Sequence, residues 1–278
     1  MITILLPTDF SNNAKNAIFY ALELYKNQEV NFILMNAFHP THDDMANSIT
    51  GGSLNDLLSQ ASEKQLQELI AEIKSKKQLY NKKHSFSFKS AYGSLVEIID
   101  TFVDKHPIDL IVMGAKGMSA VEKIVFGSNT YAVIKEVDCP ALVIPDKVSF
   151  SSPSTISIAT DFKEIKKKNI FATLQPLVKD FKPEITLFNV TEEMKSIGTD
   201  EKQMAQSIAN ILDVADIKTS YFKHEDVIYG TKEYVKQHNT SLMVLVNKKR
   251  NFFEDLFHIS FTKQISFHAE IPLLILHD

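Results

Sequence analysis

Cysteine is almost missing from this chain of 278 residues; Cys139 stands alone, so no disulfide can close within one chain. Tryptophan is absent and glycine is scarce, at eight residues. Charge of neither sign dominates. Thirty Lys and Arg against 34 Asp and Glu leave a net charge of −4, which offers no electrostatic footprint for nucleic acid. The run Lys166-Lys167-Lys168 is short and reads as the solvated start of a helix. No apolar stretch approaches the roughly 20 residues that cross a bilayer, and no basic segment, apolar core or cleavage site precedes the first strand pattern. These absences imply a soluble, cytoplasmic protein with no membrane or nucleic-acid partner. Cys139, just before Pro140 at a strand start, is expected to be a packed and inert thiol.

Hydrophobic residues make up 44% and charged residues 23%, which suits globular domains that need no covalent staples. The length suggests two domains. The first half alternates apolar runs and amphipathic stretches. Strands are expected at 2–6, 30–37, 85–91, 110–113 and 141–144, and helices at 12–27, 54–83, 94–106 and 128–137. In the first helix Ala14, Ala17, Ile18, Ala21, Leu22 and Leu24 form one stripe; in the second, Leu54, Leu57, Leu58, Ala61, Leu66, Leu69, Ile70 and Ile73 do so. Such alternation, with continuously apolar strands, predicts a parallel sheet covered on both faces. Sheets of that kind bind ligands beyond the carboxyl ends of their strands.

Three of the eight glycines fall in one motif there: Gly114 and Gly117, then nine residues, then Gly127-Ser128. Gly114 ends the expected fourth strand and Gly127-Ser128 opens a helix. Glycine allows close backbone approach to an anion, and a helix N-terminus adds N–H donors and a positive dipole end. Ser128 adds a hydroxyl. The spacing is neither a Walker A loop nor Gly-x-Gly-x-x-Gly.

After 147–154, a linker by composition, the pattern restarts. Ile156-Ser157-Ile158-Ala159-Thr160-Asp161-Phe162 echoes Ile4-Leu5-Leu6-Pro7-Thr8-Asp9-Phe10, and 242–246 and 271–276 echo the fourth and fifth strands. Tyr229-Gly230 reads as an echo of Tyr92-Gly93, each after a third strand. The long second helix is reduced to a stripe at 204–214. The glycines do not return: Asn247 is read at the place of Gly114, Arg250 at that of Gly117, and Ser260-Phe261 at that of Gly127-Ser128, with Phe252, Phe253 and Phe257 between. A phosphate loop is therefore expected in 1–146 and a degenerate copy in 155–278.

The spacing Gly-x2-Gly-x9-Gly-Ser resembles the nucleotide-binding signature of the universal stress protein family. The opening Ile2–Ser11 segment is similar to that family's first strand and acidic turn, and 138–145 to its last strand. The resemblance implies two tandem, doubly wound, five-stranded Rossmann-like domains and an adenine-nucleotide cleft for ATP, with Mg²⁺. It implies that Pro7, Thr8 and Asp9 contact the nucleoside and that the backbone of Ala37 meets adenine. Met113 and Gly114 end the fourth strand, and Gly117, Gly127, Ser128 and Asn129 match phosphate and ribose contacts. Asn129 departs from the small apolar residue of the family pattern. Subunits in that family often associate through the last strand, so a duplicated chain is expected to pair its two last strands internally as a pseudo-dimer, with a homodimer also open.

Several residues carry two readings. Asp9 is a ligand contact or a helix cap, Ser11 being a second candidate cap. Lys116 neutralises phosphate or is a solvated surface residue. His39, His42, Asp43 and Asp44 belong to a polar loop before Gly51-Gly52 or hold a divalent metal. No general base or nucleophile arrangement is evident. Three functions compete: an ATP-binding regulatory protein, a slow ATPase on the same fold, and a scaffold without a ligand.

Overall fold

A computed structural model describes residues 1–39, 54–76, 79, 81–115, 127–247 and 271–278. Their contacts divide the chain into two compact units, one within 1–139 and the other formed by Pro140–Asp278.

In the first unit the apolar opening run becomes β1 (Ile2–Pro7), followed by α1 (Asn12–Leu24), β2 (Val30–Phe38), α2 (Leu54–Ser75), β3 (His84–Tyr92), α3 (Leu95–Lys105), β4 (Leu110–Gly114) and α4 (Ser128–Glu136). Strand order is β3-β2-β1-β4, all parallel. The chain thus winds outward from β1 through β2 to β3 and returns to the other side of β1, which makes β1/β4 the switch point. Ser11 caps α1, its hydroxyl accepting from the Ala14 N–H at 3.2 Å. Ala14, Ala17, Ile18, Ala21 and Leu22 are the buried stripe, as the spacing predicts.

The second unit contains β5 (Ala141–Ile144), β6 (Thr155–Ala159), a 3₁₀ helix (Lys168–Leu174), α5 (Gln175–Phe181), β7 (Glu184–Thr191), α6 (Thr199–Leu212), β8 (Lys218–Lys223), α7 (Val227–Gln237), β9 (Leu242–Asn247) and β10 (Leu273–His277). β6, β7, β8, β9 and β10 repeat the parallel order, with β9 on the far side of β6 and β10 beyond it. β5, although it closes the first half of the sequence, lies in this unit. It pairs antiparallel with β10, matching Leu273 to Val143, Leu274 to Leu142 and Ile275 to Ala141. Both strands are buried, and apolar but for His277 at the end of β10, and the pairing satisfies backbone groups that would otherwise form an open edge.

Four sequence expectations are corrected. The second helix ends at Ser75, not at 83. Beyond it Asn81 takes over the backbone hydrogen bonding: its amide donates to the Lys26 carbonyl and its oxygen accepts from the Lys83 N–H. Its burial begins at Ser62 rather than Leu54, and Leu57 is exposed. The first helix ends at Leu24, not at 27. Finally, Tyr229-Gly230 lies inside α7 and not at a strand end. Gly93 serves a turn, with φ of +127°, whereas Gly230 serves packing: a Cβ there would stand 2.6 Å from both His224 Cβ and Val190 Cγ1.

Helix propensity alone favours Ala over Gly by about 1 kcal/mol. The contacts of Gly230 reverse that sign, and Gly230→Ala is expected to lower stability by about 1–3 kcal/mol through overpacking. Urea unfolding measures this; a stabilised variant would mean that α7 does not press on β7 as described.

Candidate functional site

The carboxyl ends of β1, β2 and β4 converge through a set of short hydrogen bonds. β1 runs level with β2, Pro7 opposite Met35, and the Thr8 N–H donates to the Met35 carbonyl at 2.8 Å. Ala37, half-buried, lies two residues farther along β2. The chain then turns through Thr8-Asp9-Phe10. Phe10 has φ of +63°, a left-handed conformation that costs a bulky L residue about 1–2 kcal/mol. Two side chains hold it there: Thr8 Oγ1 accepts from the Phe10 N–H at 3.0 Å, and Asp9 Oδ1 accepts from the Ser11 N–H at 3.1 Å. Asp9 therefore has a turn-forming role beside any contact with a ligand, and Ser11 is the helix cap.

The second unit repeats this turn. Phe162 has φ of +55°, Thr160 Oγ1 accepts from Phe162 N–H at 3.1 Å, and Asp161 Oδ1 accepts from Lys163 N–H at 3.0 Å. The Thr-Asp-Phe echo is thus an echo of turn geometry, and it persists where the glycines are gone.

An asparagine not singled out from sequence completes the arrangement. Asn36, buried near the end of β2, donates its amide to the Thr8 carbonyl at 2.7 Å and accepts from Ser62 Oγ at 2.8 Å; Ser90 Oγ donates to Ser62 Oγ at 2.7 Å. Asn189 donates to the Thr160 carbonyl in the second unit. The recurrence of Leu34-Met35-Asn36 as Leu187-Phe188-Asn189 was the available signal. Buried polar groups need such partners, and here they lock the turn to the β2 end.

Met113 and Gly114 end β4, both buried. A Cβ on Gly114 would lie 3.0 Å from the Asn13 carbonyl oxygen and 3.1 Å from its carbon. The missing side chain thus admits the first turn of α1. Beyond β4, the Gly127 N–H donates to the Ala115 carbonyl at 2.7 Å, which closes the ends of the intervening loop on each other. Lys116 and Gly117 lie outside the described residues; so do His42, Asp43, Asp44 and Gly51-Gly52.

Gly127 is the N-cap of α4, with φ of −63° and ψ of 156°, and makes no side-chain cap. Ser128 and Asn129 occupy the exposed first two helical positions. Thr130, buried at the third, turns its hydroxyl back to the Gly114 carbonyl at 2.9 Å and so ties α4 to the β4 end. The helix N-terminus, with its positive dipole end, is thereby fixed beside the Gly114 strand end. Cys139 is buried away from this edge, and burial pushes its thiol up to about 12.

The sheet register revises one sequence alignment. Ile4 pairs with Leu110 in the first unit and Ile156 with Leu242 in the second. The residue level with Gly114 is therefore Val246, and Asn247 matches Ala115. The reading of Asn247 at that place is off by one, because Leu110-Ile111-Val112-Met113-Gly114 aligns with Leu242-Met243-Val244-Leu245-Val246 without a gap. Arg250, Phe252, Phe253, Phe257 and Ser260-Phe261 lie outside the described residues. Among the described residues no group of three or more His, Cys, Asp or Glu is placed to hold a metal, and no helix is long and apolar enough to cross a membrane.

A parallel sheet wound in two directions from β1, with helices between its strands, defines a Rossmann-like α/β protein. The sequence profile of the universal stress protein family matches residues 1–145. A universal stress protein of Methanocaldococcus jannaschii is 30% identical over 144 residues, spanning 51% of this chain and 80% of that protein. Among solved structures, a universal stress protein from Archaeoglobus fulgidus aligns over 98% of this chain and 97% of its own, with a TM-score of 0.68 at 17% identity. A functionally unknown protein from Pseudomonas aeruginosa aligns over 99% and 92%, with a TM-score of 0.57 at 15% identity. These two likenesses establish the fold. The chain belongs to the universal stress protein family.

Proposed function

We propose that this chain is an ATP-binding regulatory protein, with one nucleotide site in the first repeat (1–146) and none in the degenerate second (155–278). The observation that carries the reading is Gly127. Its backbone angles are open to any residue, and Ser, Asp or Asn would cap α4 better than glycine does. Neither conformation nor capping accounts for glycine there; close approach of a phosphate to the N-terminus of α4 does. In this reading Gly117, Gly127, Ser128 and Asn129 meet phosphate and ribose and Lys116 offsets phosphate charge. Pro7, Thr8, Asp9 and Ala37 line the nucleoside end, and Met113 and Gly114 form the strand-end wall. Mg²⁺ enters with the ATP. The antiparallel pairing of β5 with β10 supports an internal pseudo-dimer of the two repeats through their last strands.

The groups assigned to phosphate are backbone donors, a hydroxyl and an ammonium, which stabilise the ground state. Catalysis needs groups that act more strongly in the transition state. Asp9, the carboxylate of the site, is assigned to the nucleoside end and already accepts from the Ser11 N–H. Binding that shifts a conformational population is the function that follows. With saturating Mg-ATP, turnover should fall far below the median enzyme value of about 10 per second. A rate near that value, lost in Ser128→Ala, would replace the regulatory reading with an enzymatic one.

A further inference from the structure

In the first unit, α1 packs directly after the Thr-Asp-Phe turn. Two residues make this possible: Ser11, which caps the helix, and Gly114, whose missing side chain leaves room for Asn13. The second unit has neither. Lys163 stands where Ser11 would, and a lysine offers no acceptor to a helix N-terminus. Val246, buried in β9, stands level with Gly114. The chain after Phe162 accordingly forms no helix until Lys168, where a 3₁₀ segment begins and leads into the seven-residue α5. Against the face of α6 that this segment borders, a cavity of about 400 Å³ remains.

The cavity is built in layers. Ile165, Phe171 and Ile208 form a buried apolar floor, and Phe162 and Met204 are half-buried walls. Met204 is held in place by the Thr160 hydroxyl, 3.8 Å from its sulfur. At the mouth are the exposed carboxylates of Glu164 and Asp200, and among the described residues no lysine or arginine lines the space. Lys163, which precedes Glu164 in the chain, extends to 4.0 Å from Asp161. The volume is in the range of small-molecule pockets, where apolar walls supply affinity and a few polar groups set orientation.

We propose that this cavity is a ligand site of the second unit, separate from the nucleotide edge, for a small amphipathic organic cation: an aliphatic or aromatic body ended by an ammonium. The body lies on Ile165, Phe171 and Ile208, and the ammonium stays at the wet mouth beside Glu164 and Asp200. In this repeat a 3₁₀ segment and the short α5 stand where the first repeat has α1, and the pocket opens beside the 3₁₀ segment.

The test is calorimetric titration of the full chain with octylammonium, and separately with octanoate, without ATP. Octylammonium should saturate one site per chain, with octanoate at least about tenfold weaker. The variant Glu164→Gln/Asp200→Asn, at two exposed positions, should weaken octylammonium about threefold to tenfold, as expected for exposed charge pairs. Ser207→Trp, which places an indole at the exposed rim of the cavity, should abolish binding with the circular dichroism spectrum unchanged. Equal binding of octanoate, unchanged binding by the double variant, or no saturable binding of octylammonium would each overturn the proposal. ATP affinity is measured separately in the same variants and should not change.

Discussion

Gly127→Asp should lose ATP binding by at least about a hundredfold, roughly 2.7 kcal/mol, while the protein without nucleotide stays as stable or gains slightly. Aspartate is among the best N-caps, and its carboxylate accepts from the second or third helical N–H. The backbone of Gly127 already has the extended conformation that a capping residue adopts. Against glycine the gain amounts to a few tenths of a kcal/mol. The same carboxylate would occupy the donors that phosphate needs and would repel it. Thermal unfolding of the apo protein and titration with ATP give the two halves of the result. Unchanged ATP affinity would remove the reason given for glycine at this position.

Gly114→Val should behave in the opposite sense and destabilise the protein itself by about 3 kcal/mol, the upper part of the overpacking range. The first atom added would already sit 3.0 Å from the Asn13 carbonyl oxygen, a backbone atom in the capped first turn of α1. Valine adds two more carbons. Relief requires α1 to move off the β4 end, which strains the hydrogen bond from Thr130 to the Gly114 carbonyl. Urea unfolding without nucleotide measures the loss; a loss below about 0.5 kcal/mol, the size of an ordinary surface substitution, would show that α1 does not depend on that gap.

These two glycines look alike in the sequence and differ in the structure. The spacing identifies both, yet only neighbouring atoms show that Gly114 serves helix packing, whereas Gly127 stands as the N-cap of α4. The strands were legible because continuous apolar runs bounded by turn residues leave few alternatives. The α1 stripe was legible for the same reason. The α2 stripe was legible only in part: Leu57 fits the period and is exposed, since period alone does not say where a helix stops contacting its sheet. Asp161 reads as an echo of Asp9, a candidate ligand contact; a left-handed phenylalanine after each explains the echo locally. Tyr229-Gly230 matched Tyr92-Gly93 by letters, but Gly230 is fixed by Val190 and His224, contacts made between different elements. Val246, not Asn247, is level with Gly114 because the strand pairing fixes the register, which the letters of the two repeats do not show.

The central claim is that one repeat binds adenine nucleotide and the other does not. Equilibrium titration of the full chain with ATP, with EDTA and again with Mg²⁺, tests it most directly through stoichiometry. The account predicts one site per chain, lost in Gly127→Asp and retained when Asp161 is replaced by Asn. Two equivalent sites, or none in either buffer, would contradict it.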